Sequence, residues 1–251
     1  MGIALIPKLN FSTVHDAWLG IYERMVSTPV YYQVCRDLIH EVYEIFDHPE
    51  YIHIGMDEEG WEHADDPDYT YVVLRRDDLL YHDVKYFIDC VKETGAKCHM
   101  WQGVFLSNRQ KAFETIPKDV VINSALYYSY KKENWTKISE QSEEEQNFYA
   151  TRFVQRHGYT IEYIEEDPVV TRVIEARKDY LEAGYHMIGV TTNLFIKTNE
   201  VDTAEYFKEN FPKEQIDGLL TCPWLETTKQ NEEQILEAID LLNIAKQKWN
   251  S

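Results

Sequence analysis

Short apolar runs alternate with longer amphipathic stretches along this chain, and that alternation most narrows the folds open to it. Six runs read as strands: residues 3–9, 51–55, 97–101, 120–125, 186–191 and 218–222. Each is mostly apolar, as strands covered by helices on both faces must be, and each leads into polar, aromatic or Gly/Pro-bearing sequence. Between them Val34, Leu38, Val42, Ile45 and Phe46 recur at helical spacing, as do Leu80, Val84, Phe87, Ile88 and Val91. A last helix over 235–249 carries Ile235, Ile239, Leu242 and Ala245. Strand followed by helix, repeated, gives a parallel sheet. The 251 residues suit one α/β barrel of about 250 residues. The expectation is a single α/β domain over 1–251 of (β/α)8 TIM-barrel type, with a long polar insertion near 130–167. Within it, 159–164 alternates weakly and reads as an extra strand.

The charge, 25 basic against 44 acidic residues, is 25 − 44 = −19, which repels phosphate backbones and anionic lipid; neither nucleic acid nor membrane is an expected partner. Cys35, Cys90, Cys98 and Cys222 show no metal-ligand spacing and read as buried thiols. GxGxxG and GxxxxGK phosphate loops are absent from the sequence. As written, the chain reads as untargeted and cytoplasmic, or as exported if a leader lies upstream.

In barrels of parallel strands the working residues follow the strands' carboxyl ends. Collected there are Asn10, His15, Asp16 and Trp18, then Asp57, Glu58 and Glu59, then Trp101 and Gln102. The later strands add Tyr127, Tyr128 and Tyr130, then Asn193 and Phe195, then Trp224 and Glu226. Aromatic walls with a few acids suit a sugar, whose C–H faces stack on rings while its hydroxyls need acceptors. The run Tyr51-Ile52-His53-Ile54-Gly55-Met56-Asp57-Glu58 ends an apolar strand in two adjacent carboxyls. Adjacent acids are poorly placed as the opposed pair of a direct glycoside displacement, which needs carboxyls about 5 Å apart across the bond. A nucleophile from the substrate resolves this.

The stretch His53-Ile54-Gly55-Met56-Asp57-Glu58 resembles the His-x-Gly-Gly-Asp-Glu hallmark of glycoside hydrolase family 20, the β-N-acetylhexosaminidases, with Met56 in place of the second glycine. The resemblance implies retaining hydrolysis of terminal β-linked N-acetylhexosamine, assisted by the substrate's own 2-acetamido group, without cofactor or metal. Glu58 would be general acid/base and Asp57 would orient and stabilise the acetamido group. Residues 2–18 look like the family's third strand and following loop, 97–101 like its fifth strand, and 221–226 like its last. The chain would then lack the first two βα units and comprise units 3 to 8 of an incomplete barrel. His15, one position from the family's expected histidine, would be a substrate-binding residue. Trp101 and Trp224 would be pocket walls, Glu226 a hydroxyl acceptor and Tyr128 an acetamido contact.

Other readings stay open. Asp57 and Glu58 could belong to an acidic loop capping a helix, and the tryptophans could be core. The barrel could be a sugar-binding relic without turnover. A metal-dependent hydrolase could use His15, Asp16, His63, Asp65, Asp66 and His99, although no His-x-His strand signature is present. Open barrel edges would expose unpaired strands, so a homodimer or other covering partner is expected.

Overall fold

A computed structural model describes residues 4–57, 59, 75–127, 168–194 and 197–251. The chain gathers into two compact units: Met1–Asn123 with Glu182–His186, and Ser124–Leu181 with Met187–Ser251. The insertion expected near 130–167, and the strand expected within it at 159–164, fall outside the described residues.

The first unit is built on parallel strands in chain order, β1 (Tyr51–His53), β2 (Lys97–Trp101) and β3 (Val121–Ala125), the last running on into the second unit. The register pairs Ile52 with Cys98, His53 with His99, Met100 with Ile122 and Trp101 with Asn123. Side chains alternate along a strand, so Ile52, Cys98, Met100 and Ile122 share one apolar face, while His53, His99, Trp101 and Asn123 share the other. Nothing in an apolar count of these strands foretells that second face. All eight are buried.

Residues 3–9 form less of a strand than expected. Among the described residues the segment makes one parallel bridge, Lys8 to His53. His53 N–H donates to the Pro7 carbonyl at 2.9 Å, Leu9 N–H to His53 O at 2.9 Å and Phe11 N–H to Ile54 O at 3.1 Å. Pro7 has no N–H to give, which limits the ladder on that side. β1 also stops before residue 55, because Gly55 (φ 79°) and Met56 (φ 67°) both leave the extended region.

Helix α1 (Pro29–Ile45) starts where Thr28 Oγ1 accepts the Tyr31 N–H and Pro29 needs no donor of its own. Its buried line is Tyr31, Cys35 and Ile39. The expected stripe lies at its margin, with Val34, Leu38 and Val42 half-buried and Ile45 and Phe46 exposed. The line turns inward at Tyr31, whose ring meets Phe87 edge-on at 6.3 Å. Helix α2 (Asp77–Thr94) has Asp77 and Asp78 at its positive end and Gly95 (φ 93°) as left-handed C-cap. Leu80, Val84, Phe87, Ile88 and Val91 are buried as the periodicity predicts. Two short helices, α3 (Gly103–Ser107) and α4 (Arg109–Thr115), follow β2.

The second unit holds α5 (Pro168–Glu182, of which Glu182 falls in the first unit), β4 (His186–Thr191, of which His186 falls in the first unit), α6 (Asn199–Asn210), β5 (Ile216–Thr221) and α7 (Glu232–Asn250). β4 and β5 pair in parallel, with a register shift between Met187 and Ile188. The shift accompanies an earlier start for β5 than the expected 218–222. A Cβ on Gly189 would come within 2.9 Å of both Phe207 and Leu219, so the glycine lets α6 press onto β4. Along α7 the buried residues are Ala238 and Ala245, while Ile239 is exposed. Small residues at the seam allow α7 to lie close to α6 and β5. Among the described residues no helix is long and apolar enough to cross a membrane.

Candidate functional site

The turn after β1 is built around Gly55. Its N–H donates to His53 Nδ1 at 2.9 Å and its carbonyl accepts the Trp101 N–H at 3.0 Å. A Cβ here would fall 2.8 Å from Asn10 Cα, and φ is positive, so the position takes glycine on two counts. Met56 follows in the same left-handed region, which costs a residue with a Cβ about 1–2 kcal/mol; its side chain is fully buried. The position where the sequence has methionine in place of a glycine is thus one whose backbone conformation favours glycine.

The turn delivers Asp57. Its carbonyl accepts the Ser12 hydroxyl, its Oδ2 lies 3.8 Å from His15 Nε2, and its Oδ1 is buried with no hydrogen-bond partner among the described residues. His15 and Asp57, far apart in sequence, are thereby neighbours. Trp101 is tied to the same turn through its backbone but is 6% exposed. His53 leans on its ring at 4.8 Å and the Lys8 ammonium sits 4.9 Å over it. Glu58 lies outside the described residues.

Beneath this loop is a charge cluster that motif reading does not reveal. Glu59 accepts the Thr13 N–H at 2.9 Å and forms an ion pair with Arg75. Arg75 also donates to Asp83 at 3.2 Å and to the Phe11 carbonyl at 2.5 Å. Both Arg75 and Asp83 are fully buried side chains. Burial alone would lower the Arg75 pKa; Glu59, then Tyr31 and Asp83, reverse that and hold the guanidinium charged. Asp83 additionally receives the Ser27 hydroxyl at 2.6 Å and the Tyr32 hydroxyl at 2.5 Å. The only sequence signal was Glu59 itself. A buried acid needs a cation, but nothing in the spacing names Arg75.

Asp16, also collected by strand-end position, is buried with its Oδ2 unpartnered among the described residues. Burial raises its pKa to about 7, against a lowering pull from Arg75. Raised above its unfolded value, the group supports folding fully only below about pH 4, and that support is lost as pH climbs toward 7. Asp16→Asn removes the dependence. Its thermal stability relative to wild type is expected to rise by up to about 1.4 kcal/mol per pH unit between pH 5 and 7 and then level off. A constant difference across that range, in melting curves taken at each pH, would contradict the assignment.

In the second unit β5 ends at Thr221, whose hydroxyl donates to Glu200 Oε1 at 3.0 Å. Glu200 is fully buried at the start of α6, and burial raises its pKa to about 7. Cys222 N–H donates to Thr191 O at 2.8 Å, carrying the chain into Pro223 and Trp224. Trp224 has φ 51° and is 47% exposed, with the Tyr127 ring edge-on at 6.2 Å. Glu226 is exposed, and its carbonyl accepts from Thr228 N–H and Asn231 Nδ2. Asn193 Nδ2 donates to the Gln234 carbonyl and to Glu237, an anchoring role. Tyr128, Tyr130 and Phe195 lie outside the described residues. Glu200 had no sequence signal beyond an acid in a helix's first turn.

Among solved structures the chain is similar to a GH20 exo-β-N-acetylglucosaminidase from Vibrio harveyi in complex with N-acetylglucosamine, with a TM-score of 0.55 over 97% of this chain at 13% identity. An inactive mutant of a GH20 exo-β-N-acetylglucosaminidase, also from Vibrio harveyi, gives a TM-score of 0.53 over 96% of the chain at 13% identity. The fold is that of a GH20-like α/β barrel, incomplete. Among the described residues it has five parallel strands, where a full barrel has eight. This chain spans 38% of the length of each of those two proteins. No protein-family model and no curated protein matches the sequence. Among the described residues no three or more His, Cys, Asp or Glu side chains gather as a metal-ligand set, and His63, Asp65 and Asp66 lie outside them.

Proposed function

We propose that the chain is a glycosidase that removes terminal β-linked N-acetylhexosamine with retention, using the substrate's acetamido oxygen as nucleophile. Asp57 accepts the acetamido N–H and steadies the positive charge that develops on that group. Glu58 protonates the leaving oxygen and then draws a proton from the attacking water. His15 neighbours Asp57 and reinforces its orientation. In this reading Trp101 and Trp224 each stack against sugar, Glu226 accepts from a sugar hydroxyl and Tyr128 contacts the acetamido group.

The observation that most supports this reading is the Asp57 carboxylate. It stands at a strand's carboxyl end on a Gly55–Met56 reversal, with a buried oxygen that has no partner among the described residues. A buried acceptor without a donor is costly unless a ligand supplies one. The sequence around it matches the family hexamer at every fixed position but Met56. In this reading 1–251 forms one catalytic domain corresponding to units 3 to 8 of the barrel, and a second copy or another protein is its partner.

A second reading rests on Met56. A fully buried side chain at a glycine-favouring position beside the acids fits a barrel that keeps sugar binding and has lost turnover. The two separate on one preparation. Release of 4-nitrophenol from 4-nitrophenyl β-N-acetylglucosaminide supports the enzyme. Calorimetric binding of N-acetylglucosamine without release, abolished by Trp224→Ala, supports the relic. Neither release nor binding contradicts both.

A further inference from the structure

His53 is buried, 3% exposed, on the sheet face that carries His99, Trp101 and Asn123. Its Nδ1 accepts the Gly55 N–H at 2.9 Å. An imidazole nitrogen accepts a hydrogen bond only when it carries no proton, so this contact fixes the ring as the neutral tautomer protonated at Nε2. Nε2 is itself buried and has no hydrogen-bond partner among the described residues. Leaving such a donor unsatisfied is costly. A ring that only filled space would be cheaper as phenylalanine or leucine.

The polar atom has one evident use. Gly55 and Met56 are successive residues in the left-handed region, and a β-strand has no ladder bond to offer the amide of a chain turning in that way. His53 supplies the acceptor from two residues back along the same strand. Burial, followed by the Lys8 ammonium and then His99, drives its pKa well below the ordinary histidine value and keeps Nδ1 free to accept.

We propose that His53 is a positioning residue for Asp57: its unprotonated Nδ1 holds the Gly55 amide, and with it the reversal that presents Asp57. It does not touch substrate. The proposal rests on the glycosidase reading for its kinetic consequence, while its structural consequence is measurable without any substrate.

Two substitutions separate the nitrogens. In His53→Asn the side-chain oxygen takes the place of Nδ1; in His53→Gln it takes the place of Nε2. With ¹⁵N-glycine labelling, the Gly55 amide is expected to keep its hydrogen-exchange protection in His53→Asn and to lose it in His53→Gln, while Gly189 is unchanged in both. On 4-nitrophenyl β-N-acetylglucosaminide, His53→Gln is expected to lower kcat on the order of 100-fold, the effect of a misplacement of about 1 Å, with KM unchanged. His53→Asn should stay within about 5-fold of wild type, since the δ acceptor is retained. Equal Gly55 protection in the two variants, whether kept or lost, overturns the proposal and leaves His53 as packing. Wild-type ¹⁵N-histidine spectra test the same point without a variant: a proton on Nδ1 of His53 overturns it. A wild type that releases no nitrophenol counts against the glycosidase reading, and the Gly55 amide still decides the role of His53.

Discussion

Arg75→Met is expected to destabilise the first unit by about 3–5 kcal/mol, the cost of stripping the cation from a buried ion cluster. The substitution leaves Glu59 and Asp83, 4% and 0% exposed, without their guanidinium, and leaves the Phe11 carbonyl without its donor. Asp83 retains the Ser27 and Tyr32 hydroxyls, whereas Glu59 retains the Thr13 amide. The larger part of the loss therefore falls on Glu59, and Arg75→Met combined with Glu59→Gln should recover part of it, because a neutral amide is cheaper to bury than a lone carboxylate. Urea unfolding midpoints measure both. A loss under about 1 kcal/mol for Arg75→Met would mean that the cluster is hydrated in solution. Because Glu59 stands two residues beyond Asp57, the same cluster ties the far side of the acidic turn to the Phe11 to Thr13 segment.

Glu58→Gln is expected to lower kcat for aryl β-N-acetylglucosaminides by about 10²–10⁴, the ordinary contribution of a general acid/base. Stability should stay within about 0.5 kcal/mol of wild type. Its neighbour provides the control. Glu59→Gln weakens the pairing with Arg75 and should appear first as lost stability. If Glu58→Gln retains full turnover while Glu59→Gln abolishes it in a folded protein, the acid has been assigned to the wrong residue.

The sheet was legible in the sequence where one physical cause dominated. Strands 97–101 and 186–191 occur with the expected bounds, because continuous apolar character marks a doubly covered parallel strand. The stripe of α2 was legible for the same reason. In α1 the buried line is offset by one residue from the aliphatic stripe, since a tyrosine and a cysteine, Tyr31 and Cys35, do the packing that aliphatic periodicity assigns to Val34 and Leu38. Among the described residues, strand pairing over 4–9 and 51–55 is shorter than propensity implies, because propensity does not register what Pro7 withholds or what positive φ at Gly55 and Met56 terminates.

The candidate site divides similarly. Strand-end position collected His15 and Asp57, which the fold brings within 3.8 Å, and it collected Trp101, Trp224 and Glu226 without telling the buried ring from the exposed one. The supporting groups were invisible. Arg75, Asp83 and Glu200 are recognised by what they touch, and their partners lie 16, 8 and 21 residues away along paths that no local pattern encodes. His53 was visible as a motif histidine; its tautomer follows only from the Gly55 amide.

The acetamido group is the centre of the proposed reaction, so the most direct test alters it alone. Substrates of one aryl leaving group are compared with N-acetyl, N-fluoroacetyl, N-difluoroacetyl and N-trifluoroacetyl substituents, each fluorine withdrawing electrons from the carbonyl oxygen that attacks. Nucleophilic participation predicts a steep, progressive fall in kcat/KM along the series. Rates that hardly change from N-acetyl to N-trifluoroacetyl would contradict it and leave Asp57 and Glu58 without the chemistry assigned to them.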